Sequence, residues 1–115
     1  MGVISVVFPS GESIEAELAN THLKRIVGLS GCKEKKAMLF KFPFSFKWGF
    51  WMPNMNYPLK IIYINKNKEI VDIKDAIPLT KDTKTWKRYV PKKGCKYVLE
   101  TPFEHNVKIG DKLQF

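Results

Sequence analysis

The stretch AMLFKFPFSFKWGFWMPNMNYPLKIIYI, residues 37–64, decides how this chain folds. Met38, Phe40, Phe42, Phe44, Phe46, Trp48, Phe50 and Met52 fall on every second residue, and a period of two is the period of a β-strand. One strand carrying all of them would reach about 50 Å at roughly 3.3 Å per residue, too long for a small domain. Pro43 removes a ladder donor and Gly49 weakens the run, so the spacing predicts two strands with a loop around residues 44–47. Pro53, Asn54, Met55 and Asn56 form a turn or irregular link before Pro58. From Ile61 onward, residues 59–64 are apolar on both faces, which suits a central strand. Residues 65–68, Asn-Lys-Asn-Lys, are the clearest turn in the chain, and residues 70–73 complete a hairpin across it.

Working outward, residues 3–8 are a β-branched run ended by Pro9-Ser10-Gly11, and residues 13–18 alternate apolar with Glu. These predict a first hairpin. Asn20-Thr21 then offers an N-cap, with Leu23, Ile26 and Val27 at helical spacing and Gly28 or Gly31 as a stop. Residues 32–36 are a charged loop. Residues 75–95 show no clear period and hold Pro78, Pro91 and Gly94, so they predict a long surface connection with one irregular strand near residues 86–90. Residues 96–101 alternate as another strand, with Val98 and Glu100 on one side. One helical turn is expected over 103–107 and a last strand over 112–115. The sum is a mainly β protein, a small single-domain β-barrel or compact sandwich with one or two short helices.

Composition narrows the function classes. The chain has 115 residues, 44% hydrophobic and 27% charged, ordinary for a globular protein and enough for one core. Lys plus Arg number 20 against 11 Asp plus Glu, a net charge of +9. Two cysteines cannot build a disulfide scaffold, and no Cys/His spacing suits a structural zinc site, so no metal and no cofactor is implied. The greasy region is interrupted by Lys41, Pro43, Lys47 and Pro53, which rules out a helical membrane span. The start runs straight into a strand pattern with no secretory features, so a cytoplasmic, thiol-reduced setting is expected. Abundant Lys, Glu and Ile with the single Gln114 suggests a thermophilic source.

The order Arg25-x-x-Gly28-Leu29, Met38-Leu39-Phe40, Phe50-Trp51-Met52-x-Asn54, Pro58-Leu59, Val98-Leu99-Glu100 and Gly110-Asp111 resembles the DUF192 family. The likeness covers nearly the whole chain and is most specific over residues 50–59. It implies a small β-barrel-like domain of unknown function and brings no catalytic residues with it. The chain departs from the family pattern at Ser30, Ala37 and Met55, and most of all at Lys60, where the family has Asp.

Four features are candidates for chemistry, each with a plain structural alternative. The rings from Phe40 to Trp51 can stack a base or sugar, or can simply fill a core. Phe44, Phe46 and Trp48, if in a loop, would be exposed, and exposed apolar surface marks contact with something. Trp51, Pro53 and Asn54 can shape a pocket mouth or satisfy a turn. Arg25, Glu100 and Asp111 can line a site or form a half-buried ion pair. The basic stretch from Lys74 to Lys96, with Trp86 and Tyr89 within it, can hold phosphates or be a solvated surface. His22 and His105 have no Cys or Ser partner at recognisable spacing, and no glycine-rich phosphate loop is present.

The leading expectation is a non-enzymatic binding domain with a cleft rimmed by Trp51, Asn54, Tyr57 and Lys60, with Arg25 and Glu100 as further site residues. Its ligand would be a small molecule or a peptide, an anion suiting Lys60 best. The alternatives are a nucleic-acid-associated domain using the Lys74 to Lys96 surface, and an enzyme using Glu100 or Asp111 as acid or base.

Overall fold

A computed structural model describes residues 2–21, 25, 28–52, 55–85 and 87–115. Six strands form one sheet: β1 (Val3–Val7), β2 (Ser13–Ala19), β3 (Ala37–Phe46), β4 (Leu59–Ile64), β5 (Ile70–Ala76) and β6 (Cys95–Thr101), in the spatial order β1-β2-β3-β6-β4-β5. All neighbours are antiparallel except β2 and β3. A parallel pair needs a crossover connection. Residues 20–36 supply it, and they carry Arg25, Gly28 and Leu29 over one face of the sheet.

The chain is mainly β, as expected, but the sheet is not closed into a barrel: β1 and β5 remain its edges. The C-terminal segment ties both edges without forming a strand. Gln114 exchanges two backbone bonds with Val7 at 2.8 and 3.0 Å, and Leu113 N–H donates to the Lys68 carbonyl at 2.8 Å. The expected last strand is therefore reduced to isolated bridges.

Both hairpins form as the patterns predict, Val3 pairing Glu17 and Ile62 pairing Ile73. The aromatic run behaves differently from expectation. β3 passes through Pro43 and reaches Phe46, with a register irregularity between Lys41 and Phe46. The break comes later, at residues 47–49, and Phe50 makes only an isolated bridge to Tyr89. An irregular strand end tolerates proline's missing donor, so Pro43 lies within β3 rather than ending it. The helix expected after Asn20 lies mostly outside the described residues (Leu23, Ile26 and Val27 among them); Arg25 N–H donates to the Thr21 carbonyl at 3.0 Å. Residues 103–107 form no helical turn. Among its described residues the long connection holds one 3₁₀ turn, at Thr83–Thr85.

Alternation along β3, β6 and β4 divides the core between two faces. Leu39, Leu99, Ile62 and Ile64 pack on one with Val6, Phe8 and Leu113. Met38, Phe40, Val98, Ile61 and Tyr63 pack on the other with Leu29, Met52 and Tyr57. Burial on both sides explains the apolar run of β4 from Ile61 to Ile64.

On the first face, His105 knots three elements together. Its Nδ1 lies 2.8 Å from Glu12 Oε1 and its Nε2 3.0 Å from Thr101 Oγ1, while its ring stacks on Phe8 at 4.7 Å. Thr101 Oγ1 also accepts the Phe103 N–H at 3.1 Å. Thr101→Val strips both partners of this buried hydroxyl and is expected to cost about 1–3 kcal/mol in urea unfolding. A change under about 0.5 kcal/mol would show that water replaces the hydroxyl there.

Candidate functional site

The second face carries a cavity of about 610 Å³, a size within the roughly 300–1,000 Å³ usual for small-molecule sites. Its construction follows from the strand period. Phe40 and Phe42 stand two apart on β3 and share this face, with ring centroids 6.5 Å apart. Phe50 meets Phe40 edge-on at 5.1 Å, and Trp48 stacks on Phe42 at 4.4 Å and 9°. Trp48 Nε1 donates to the Phe44 carbonyl at 3.1 Å, which folds residues 47–49 back over the end of β3. Opposite, the crossover contributes Gly28 at φ +52°, and a Cβ there would lie 3.1 Å from the Phe40 ring. A side chain at this position would meet both a left-handed backbone and the cavity wall.

Among the described residues Glu100 is the one acidic group in this lining. It lies on β6 between Met38 of β3 and Ile61 of β4, so strands cover it on both sides and it is only 5% exposed. No described group hydrogen-bonds or ion-pairs with its carboxyl. Among the described residues no sealed side-chain polar atom is unpaired, so this carboxyl opens on to the cavity rather than into packing. Burial pushes its pKa up to about 8 from the usual carboxylate range, because the charged form is poorly solvated there.

Arg25 also lines the cavity. Its Nη1 donates to the Lys41 carbonyl at 3.0 Å and its guanidinium lies 5.6 Å from the Phe42 ring centroid. It forms no ion pair with Glu100, so that sequence-based possibility is not realised. Trp51 stands at the mouth, 62% exposed, and Phe44 and Phe46 nearby are 55% and 58% exposed.

Arg25, Trp51 and Glu100 are thus brought together, while Tyr57 and Lys60 are not. Those two line a separate hollow of about 260 Å³ beside the start of β4 and the ends of β5 and β6. Tyr57 is buried, and its hydroxyl donates to the Glu34 carbonyl at 2.7 Å. Burial is the main cause that raises its pKa to about 12. With Asn56 Nδ2, which donates to the Cys32 carbonyl at 2.9 Å, it pins the charged loop. Lys60 pairs with Asp75 at 3.1 Å across the hairpin. Asn54, His22 and Trp86 lie outside the described residues. Asp111 accepts the Lys108 N–H at 3.0 Å and shapes a turn. Cys32 and Cys95 are free thiols, and among the described residues no cluster of three His, Cys, Asp or Glu side chains could hold a metal ion. No helix among the described residues is long and apolar enough to cross a membrane.

Met52, Met55 and Leu29 also line the cavity, though the sequence did not mark them as site residues. The aromatic series was, and its alternation with the Val98–Glu100 pair is the signal that could have joined ring and carboxyl on one face.

The blocks scattered along the sequence converge here. Arg25, Gly28 and Leu29 come from the first, Phe40 from the second, Phe50, Trp51 and Met52 from the third, and Glu100 from the one on β6. The profile of DUF192, described as Uncharacterized ACR, matches residues 5–115. The chain belongs to the DUF192 family. It is 30% identical over 108 residues to the UPF0127 protein of Pyrococcus furiosus, covering 89% of this chain and 87% of that one. Two solved structures share the DUF192 chain's fold. A protein of unknown function from Novosphingobium aromaticivorans has a TM-score of 0.83 at 24% identity, with 98% and 85% of the two chains covered. A protein named "putative transcription regulator" from Sinorhizobium meliloti has a TM-score of 0.79 at 25% identity, with 96% and 89% covered. Neither the DUF192 description nor these relatives' names state a ligand.

Proposed function

We propose that this DUF192 domain binds a small molecule in the cavity between the aromatic face of the sheet and the crossover. One observation carries the reading: a cavity of about 610 Å³ walled by rings, with a single unpartnered carboxyl on its floor. Ligand sites are typically apolar concavities with a few placed polar groups. The ligand has an apolar body and at least one group able to bond Glu100. Lys60 lies outside this cavity, so the sequence-based preference for an anion loses its support.

The test is a titration of the isotopically labelled protein with 2-phenylethanol, a neutral aromatic probe, followed by NMR. Shifts that saturate and centre on Phe40, Phe50 and Glu100 are the expected result. Trp51→Ala should weaken that binding by about fivefold, the worth of roughly 1 kcal/mol of ring contact. Its stability should change by less than about 0.5 kcal/mol, because the ring is largely in solvent. Shifts scattered over the surface, or none, would remove the proposal.

A nucleic-acid role is the second reading, supported by the basic connection and by the name of the Sinorhizobium meliloti neighbour. The connection is less suited to stacking bases than its sequence suggests. Tyr89 is buried, with its backbone carbonyl accepting the Tyr63 hydroxyl at 2.6 Å, and Lys74 is 3.7 Å from Asp72. Acid–base catalysis by Glu100 draws support from its raised pKa. Among the described residues, neither His105 nor Asp111 reaches the same cavity.

A further inference from the structure

We propose that the cavity takes a protonated amine on an apolar body, with the Glu100 carboxylate as counter-ion and the Phe40, Phe42, Phe50 and Trp51 rings as walls. This rests on reading the cavity as a small-molecule site and names the chemistry of its occupant.

Three observations on the site point the same way. The Glu100 carboxyl is more than nine-tenths buried, has no partner among the described residues and opens on to the cavity. A buried carboxylate is costly until a cation meets it. The surrounding walls are ring faces, which attract cations rather than anions. The wall already holds one cation in this manner, Arg25 over Phe42 at 5.6 Å.

Arg25 does not fill the role itself. Its Nη1 is committed to the Lys41 carbonyl, whereas Glu100 pairs with Met38. Three residues of strand, about 10 Å at roughly 3.3 Å each, separate the two points. The other titratable groups facing Glu100 are Tyr57 on the link before β4 and Tyr63 on β4. Both give their hydroxyl protons elsewhere, to the Glu34 and Tyr89 carbonyls. β3 presents Met38 and Phe40 to it, neither of which titrates. The carboxyl is left for a guest.

Binding then exchanges ions without residue: a protonated amine enters, the carboxyl proton leaves to water, and the two opposite charges remain. Three probes separate the possibilities: 2-phenylethylamine, 2-phenylethanol and 3-phenylpropionate, titrated calorimetrically into the wild type and Glu100→Gln. At pH 8 the amine should bind about tenfold or more tighter than the alcohol, and the propionate weakest, because only the amine makes a charge-assisted pair. Amine affinity should rise about fiftyfold from pH 6 to pH 8 as Glu100 gives up its proton, while alcohol affinity stays flat. Glu100→Gln should remove the amine's advantage and its pH dependence. The wild-type ranking reads the proposal even if the variant folds poorly. Alcohol or propionate binding as well as the amine would overturn the amine assignment and leave the small-molecule site standing. Binding of none of the three would overturn both.

Discussion

Glu100→Gln should become progressively more stable than the wild type as the pH is raised from about 4.5 to about 8. The sign follows from proton counts. In the folded chain the carboxyl holds its proton to about pH 8; in the unfolded chain it loses it near 4.5. Between these values the unfolded state binds fewer protons, so unfolding becomes easier as pH rises. Below the lower value both states are protonated and the residue costs nothing on this account. Above the upper value both are ionised and the full cost of the buried charge is felt. That cost is on the order of 3–5 kcal/mol, from about 1.4 kcal/mol per pKa unit. Glutamine keeps the shape and cannot ionise. Urea unfolding of both proteins across this range checks it. Parallel curves would mean that Glu100 ionises in the folded state as it does in the unfolded one. The cost also agrees with a site role, since an amine guest would relieve it.

Phe40→Ala should lower the unfolding free energy by about 3–5 kcal/mol, the range for truncating a buried ring. Phe40 is fully buried, sits on β3 between β2 and β6, and is the floor against which Gly28 and Phe50 pack. The site cannot collapse to fill the gap, because one side is already a cavity. The lost ring merges with that space, so the larger end of the range applies. A fall in Tm of about 10 °C or more is expected in a thermal melt. A loss below about 1 kcal/mol would show that the ring is not packed as the cavity wall. The probes should bind this variant too weakly to measure, since it loses wall and stability together.

The readable part of this protein was its local geometry. The alternations over β1, β2, β4 and β6 announce strands, because a strand's two faces face different environments and the residues record that difference directly. The doubly apolar β4 announces its own central place. The aromatic run was readable as strand but not in its ending. Pro43 was expected to stop it, yet a register irregularity and the Trp48 to Phe44 bond carry the chain further. Such a bulge depends on the partner strand, which lies about fifty residues along.

The site was readable in pieces. Arg25, Trp51 and Glu100 were candidates, and each lines the cavity. Tyr57 and Lys60 were candidates through their nearness in sequence to Trp51, and the tertiary structure places them at a different hollow. Tyr57 packs with the cavity-side core but gives its hydroxyl to the Glu34 carbonyl, and Lys60 meets Asp75 across the hairpin.

Side-chain alternation is a property of one strand, so the amino-acid order by itself determined that this chain is mainly β and which rings share a face. Registers such as Met38 with Glu100 with Ile61 join strands remote in sequence, and only the tertiary structure decided them. The same registers cover a carboxyl with strands on both sides and face it to aromatic walls; no local pattern distinguishes a charged residue at a strand end in water from one covered in this way.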